Sequence, residues 1–172
     1  MDLLKSENDK NVTMEFHEAC KTGDIKKVKF LLSKKEKINV NQLDEEDTLS
    51  NFVRKRNADI VKTLLSLGVN VNEQGFGGIT PLHWACARAD NLTVAKILIQ
   101  NGANIDAIVT GLKQSPLYFA SEYGNVGAVK LLLENGCKTG VRNRKGMTAL
   151  EISMQKDFVD ILKMFAFHDK DV

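Results

Sequence analysis

The feature that most constrains this chain is a short pattern that returns at a nearly constant interval. Its copies are Met14-Glu15-Phe16-His17-Glu18-Ala19, Asp47-Thr48-Leu49-Ser50-Asn51-Phe52, Thr80-Pro81-Leu82-His83-Trp84-Ala85, Ser115-Pro116-Leu117-Tyr118-Phe119-Ala120 and Thr148-Ala149-Leu150-Glu151-Ile152-Ser153. The starts at 14, 47, 80, 115 and 148 are separated by 33, 33, 35 and 33 residues. Such a period marks an array of supersecondary units, each too small to bury its own apolar side, so that neighbours must supply the core.

The third copy shows what one unit is. Thr80 is a natural N-cap, and Pro81 fits the first helical position, where a missing N–H costs nothing. A second helix carries Val94, Ile97 and Leu98 at helical spacing, and Gly102 stops it. Equivalent second helices recur in register at Val28–Leu32, Val61–Leu65, Val129–Leu133 and Leu162–Ala166. Gly68 and Gly136 close two of them, while Gly23 and Gly124 sit in the turns between paired helices.

A period of 33 with Thr-Pro-Leu-His-x-Ala resembles the ankyrin repeat, and the resemblance covers residues 14–166. It implies an all-α ankyrin-repeat solenoid of helix-turn-helix units joined by hairpin connections. Residues 1–13 are expected to form a polar N-terminal cap segment and residues 167–172 a C-terminal tail. Two departures stand out. The second unit lacks the proline and histidine, has Phe52 where a small alanine is usual, and has Arg56 where the turn glycine is expected. The third unit is two residues longer, which predicts one insertion in the Arg88–Asn91 turn and one in the Ile108–Gln114 connection. End repeats need a solvated outer side, and the lysines 26, 27, 29, 34, 35 and 37 at one end match that need. Asp157, Asp160, Lys163 and a polar tail do so at the other.

Composition narrows the function. With 43% hydrophobic and 27% charged residues, disorder does not describe the whole chain. A net charge of +2 supports neither a nucleic-acid nor a membrane partner, since either needs a concentrated basic field. The start at Met1 reads as a true start with no secretory signal, and no run approaches a membrane span, so an intracellular, cytoplasmic or nuclear protein is expected. On that reading the sequons at Asn11 and Asn91 are not used. Whether Val172 is a natural end stays open.

No enzyme can be assembled from these residues. His17 and His83 share a repeat position, which in the ankyrin resemblance fastens the turn to the first helix, and His168 lies alone in the tail. Gly75-Phe76-Gly77-Gly78 lacks the Lys-Ser/Thr and the strand of a phosphate loop, so it reads as turn glycines. Cys20 and Cys86 also share a position. At two repeats apart they lie roughly 20 Å from each other, beyond disulfide reach, and read as buried small hydrophobes, as does Cys137. Neither metal nor cofactor is expected.

Recognition of a partner protein is the remaining function. In the resemblance, the residue after the histidine position faces a concave groove, which reads out Glu18, Asn51, Trp84, Phe119 and Ile152. Farther along the same face lie Lys21, Lys55, Arg88, Tyr123 and Lys156. Trp84, Arg88, Phe119 and Tyr123 would form an aromatic and guanidinium cluster of the kind enriched at binding hot spots. The same aromatics could instead stack between repeats for stability alone. Phe76, Ile108, Val109 and Leu112 are apolar residues on the connecting fingers, expected to be exposed unless a partner covers them. Finger charge runs from Asp44-Glu45-Glu46-Asp47 to Arg142, Arg144 and Lys145, a polarity that could orient a partner. Asn72 lies where ankyrin repeats can be substrates of an asparaginyl hydroxylase, or it stabilises the turn. The expectation is a monomeric adaptor that binds one or more proteins. The alternatives are a small anionic ligand held by Lys55, Arg88 and nearby aromatics, or a structural spacer in a larger assembly.

Overall fold

The computed structural model describes residues 12–16, 18–19, 22–33, 49–54 and 57–168. Among them all regular structure is helical, apart from one isolated antiparallel bridge between Val109 and Gln114. The chain divides into two compact units, residues 1–70 and 71–172.

In the first unit, α1 is described over residues 12–16 and 18–19, and is followed by α2 (Ile25–Ser33), α3 (Leu49–Arg54) and α4 (Ala58–Ser66). Phe16, Ala19, Val28, Leu31, Leu49, Phe52, Ile60, Val61 and Leu64 form its core. The irregular second repeat thus keeps both helices, and Phe52 in the usual alanine position is absorbed into the interior. Each second helix begins on a short polar side chain. Asp24 Oδ1 accepts from Lys27 N–H at 3.0 Å and Asn57 Oδ1 from Ile60 N–H at 3.1 Å, satisfying donors that the first helical turn leaves without a partner. His17, Cys20, Lys21, Asp47, Lys55 and Arg56 lie outside the described residues, as do the lysines 34, 35 and 37 and the acidic finger at 44–47.

The second unit holds α5 (Pro81–Cys86), α6 (Leu92–Gln100), α7 (Pro116–Glu122), α8 (Val126–Glu134), α9 (Ala149–Gln155) and α10 (Val159–His168). First helices stack on first helices, α5 on α7 and α7 on α9, and second on second, α6 on α8 and α8 on α10. Leu82, Ala85, Leu98, Leu117, Ala120, Val129, Leu132, Ile161 and Phe165 fill the space between the layers. Pro81 and Pro116 occupy first helical positions as expected. Ser115 Oγ accepts from Tyr118 N–H at 3.2 Å, and Thr148 forms a capping box with Glu151.

The turns explain the glycines. Gly124 has φ +70, and a Cβ there would sit 3.1 Å from the Phe158 ring. Asp157 takes the equivalent left-handed position in the last repeat, at φ 56, where a short polar side chain is among the few tolerated. Asn125, one residue after Gly124, accepts from Ala128 N–H at 3.1 Å and donates to the Cys86 carbonyl at 3.0 Å, joining two repeats.

Both extra residues of the third repeat are in connections. A short 3-10 turn, Ala89–Asn91, delays the start of α6 by one residue relative to α8. The connection after it is closed by Val109 N–H to the Gln114 carbonyl, whereas its neighbours close from Gly75 to Ile79 and from Asn143 to Met147. The central finger is therefore one residue longer than those beside it. At the C-terminal end, Asp157, Asp160 and Lys163 are exposed, but so are Met154, Val159 and Phe167, so this face is more apolar than a polar cap.

Candidate functional site

His83 anchors the surface from below. Its Nδ1 accepts from Thr80 N–H at 3.2 Å and lies 2.8 Å from the Thr80 hydroxyl, while Nε2 faces the Gln114 carbonyl at 3.3 Å. A carbonyl can only accept, so Nε2 carries the proton. The ring is fully buried, and desolvation lowers its pKa from 6.5 to about 4, against the raising influence of backbone acceptors. The histidine is thus a neutral structural clasp, as its repeat position implies. Tyr118 and Glu151 fill the same position differently. Asn143 Nδ2 donates to the Tyr118 hydroxyl at 2.9 Å, and Thr148 N–H donates to Glu151 Oε2 at 2.6 Å, holding that carboxyl below its ordinary pKa.

An aromatic column rises from this clasp. Phe119 lies edge-on to His83, with centroids 5.0 Å apart, and tilted toward Tyr123 at 6.2 Å. Phe119 and Ile152 are each only 6% exposed, which corrects the expectation that they line an open groove. Phe119 on α7 lies against the His83 ring of α5, and Ile152 is buried on α9, which packs against α7. The open positions are one turn farther along. Tyr123 is 60% exposed, and Arg88 and Lys156 at the same repeat position are also exposed. Lys156 Nζ donates to the Glu122 carbonyl at 2.7 Å, placing its charge at the C-terminal end of α7, where the helix dipole favours a cation. Trp84, one turn before Arg88, is half-buried. Asn51 has a helical backbone, but its side chain lies outside the described residues, and so does that of Phe76.

Beside Arg88 is a depression of about 330 Å³ lined by Ala87, Arg88, Ala89 and Asp90. Arg88 Nε lies 3.4 Å from Asp90 Oδ1, so an anion entering there would compete with a carboxylate already in place. Among the described residues no group of three or more His, Cys, Asp or Glu side chains could hold a metal ion, and no helix is long and apolar enough to cross a membrane.

On the fingers, Leu112 is 52% and Ile108 38% exposed. Val109 is buried instead of exposed, because its backbone forms the bridge to Gln114 and turns the side chain inward. Gly75 to Gly78 form a tight turn, with Gly78 N–H bonded to the Gly75 carbonyl and Gly77 accepting from Thr110 N–H. Asn72 is committed to inter-repeat bonding. Its Nδ2 donates to the Gly102 carbonyl at 3.0 Å, and its Oδ1 accepts from Asn104 N–H at 2.6 Å. Asp106 does the same one repeat later, accepting from Lys138 N–H at 2.8 Å. Cys86 and Cys137 are buried free thiols. Burial pushes Cys137 up to about 12 and Cys86 higher still, so neither is a reactive thiolate.

Asn125, Asn143 and Gln114 were not singled out by sequence reasoning, although each fixes part of this surface. A polar residue at a constant offset after the turn glycine, as in Asp24 and Asn125, is the signal that points to the first of them.

Two family models match the chain. One, described as ankyrin repeats (3 copies), covers residues 16–109, and the other, ankyrin repeats (many copies), covers residues 98–153. Similar curated proteins include the putative E3 ubiquitin-protein ligase XBAT34 of Arabidopsis thaliana, 30% identical over 125 residues, or 72% of this chain and 33% of that protein. The ankyrin repeat and KH domain-containing protein mask-1 of Caenorhabditis elegans is 36% identical over 104 residues, 60% of this chain and 4% of its own length. Palmitoyltransferase Hip14 of Drosophila melanogaster is 30% identical over 92 residues, 54% of this chain and 14% of its own. The chain spans a third or less of each of these relatives. Its recurring helix pairs, the Thr-Pro-Leu-His clasp of the third repeat and both matching family models show that the chain belongs to the ankyrin-repeat family.

Proposed function

We propose that this chain is a non-catalytic protein–protein interaction module, an adaptor that holds a partner protein on the face carrying Trp84, Arg88 and Tyr123. Ankyrin repeats generally mediate protein–protein interactions. The observation that carries the reading here is the column from buried His83 through Phe119 to exposed Tyr123. An exposed aromatic braced by buried rings presents contact area at little ordering cost, and Tyr, Trp and Arg are the residue types that dominate binding hot spots. Phe119 and Ile152 serve this surface from beneath, as supports and not as contacts. Leu112 joins the proposed contacts as an exposed apolar residue of the central finger.

The test uses the intact chain as bait. Trp84→Ala combined with Arg88→Ala is expected to lose captured partners while the circular dichroism spectrum and melting temperature stay close to the parent. An unchanged partner set refutes the reading. The small-anion alternative is weakened by the Asp90 carboxylate beside Arg88. Thermal stabilisation by inorganic polyphosphate, with no protein captured, would favour it.

A further inference from the structure

The fingers at residues 107–114 and 141–147 carry a surface that the aromatic column does not use. Within these two stretches the charged side chains are Lys113, Arg142, Arg144 and Lys145, and there is no Asp or Glu. All four are exposed. Arg142 is shared with Glu151, 3.1 Å away, whereas Lys113, Arg144 and Lys145 enter no ion pair among the described residues. Among these cations stands Leu112, 52% exposed, with Ile108 nearby in the same finger at 38%.

The backbone that presents Leu112 is tied on several sides. Val109 N–H donates to the Gln114 carbonyl at 2.9 Å, Lys113 N–H to the Val109 carbonyl at 2.8 Å, and Thr110 N–H to the Gly77 carbonyl of the preceding finger at 2.9 Å. Arg144 N–H donates to the Leu112 carbonyl itself at 3.0 Å, fastening the following finger. Lys113 takes φ 53 to complete the lengthened turn. The extra residue of the third repeat therefore does more than fill a loop. It projects a leucine from a cross-braced backbone, beside three cations that have no ion-pair partner among the described residues. A preorganised apolar anchor within a one-sign charged rim lowers the ordering cost of binding and selects for a partner of opposite charge.

We propose that these two fingers form a docking site for an acidic peptide segment bearing a large apolar anchor residue, supplied by a partner protein. The apolar side chain packs on Leu112 and Ile108, and the flanking carboxylates meet Lys113, Arg144 and Lys145. This deepens the function proposed above, because it rests on the chain being a protein-recognition module and names the chemistry of the recognised segment. A polynucleotide would use the same cations but has no use for an exposed leucine, so the anchor favours a peptide.

The test is fluorescence anisotropy with the intact chain and a labelled dodecapeptide of Asp and Glu containing two leucines. Comparison probes are the same peptide with serines for the leucines and a single-stranded oligonucleotide of equal charge. The leucine peptide is expected to bind at least about tenfold tighter than either. Leu112→Ser and the pair Arg144→Glu with Lys145→Glu should each weaken it at least about tenfold, with Lys130→Glu on α8 as a neutral control. The proposal is overturned if the serine peptide or the oligonucleotide binds equally well, if the finger variants bind like the parent, or if no probe binds. Loss of captured partners in the Trp84/Arg88 variant but not in Leu112→Ser would leave protein recognition standing and remove the finger site alone.

Discussion

Acidification provides the sharpest test of the His83 clasp. The imidazole is fully buried, its Nδ1 accepts from Thr80, its Nε2 proton is committed to the Gln114 carbonyl, and Phe119 packs edge-on against the ring. Protonation would place a charge in this apolar site and turn Nδ1 from acceptor into donor against the Thr80 N–H. Burial lowers the pKa from 6.5 to about 4, so between these values the unfolded chain binds the proton that the folded chain refuses. Stability is unaffected by this group above pH 6.5, falls as the pH drops toward 4, and levels off below it. The gap corresponds to about 3 kcal/mol, a large fraction of the stability of a small domain. The assay is urea denaturation of the intact chain and of His83→Gln from pH 7 to pH 4. At pH 7 the variant is expected to be less stable, having lost the clasp. Because only the parent carries the titrating group, its advantage should shrink by about 3 kcal/mol on acidification, whatever the carboxylates contribute to both. An advantage that stays constant across this range refutes the assignment of a buried neutral histidine.

The packing sets four further outcomes. Asn125→Ala removes both the cap on Ala128 N–H and the donor to the buried Cys86 carbonyl, and should cost about 1–3 kcal/mol in urea denaturation. Gly102→Ala meets no atom within 4 Å and suffers only from its φ of +84, so about 1–2 kcal/mol is expected. Gly78→Ala adds a 2.7 Å approach to Thr110 Oγ1 at a similar φ and should lower the melting temperature further. Cys86 and Cys137 should react slowly with a thiol reagent in the native state and rapidly in urea, and fast native labelling of either would contradict its burial.

The repeat architecture was legible because periodicity is a property of the chain. Starts at a spacing of 33, proline at the first helical position and glycine after the second helix each have a local backbone cause, and α5 to α10 appear where that register puts them. Even the insertions were assigned to the right connections, since an extra residue within a packed helix would rotate its buried side out of the core. The candidate surface was less legible. Counting positions put Phe119 and Ile152 on an open face, yet both are buried, Phe119 with its ring against His83 of α5. Val109 looked like an exposed finger residue until the bridge to Gln114 turned it inward, while Leu112, three residues on, stayed out.

By itself, the sequence determined the unit, its period and the structural role of His83, all set by interactions within one repeat or between equivalent positions. Tertiary structure alone decided which aromatics face solvent, which finger cations are exposed and how the long finger is braced. Those outcomes depend on what the next repeat places against each side chain. A period specifies that a neighbour is present, but only the packed coordinates show which atoms it covers.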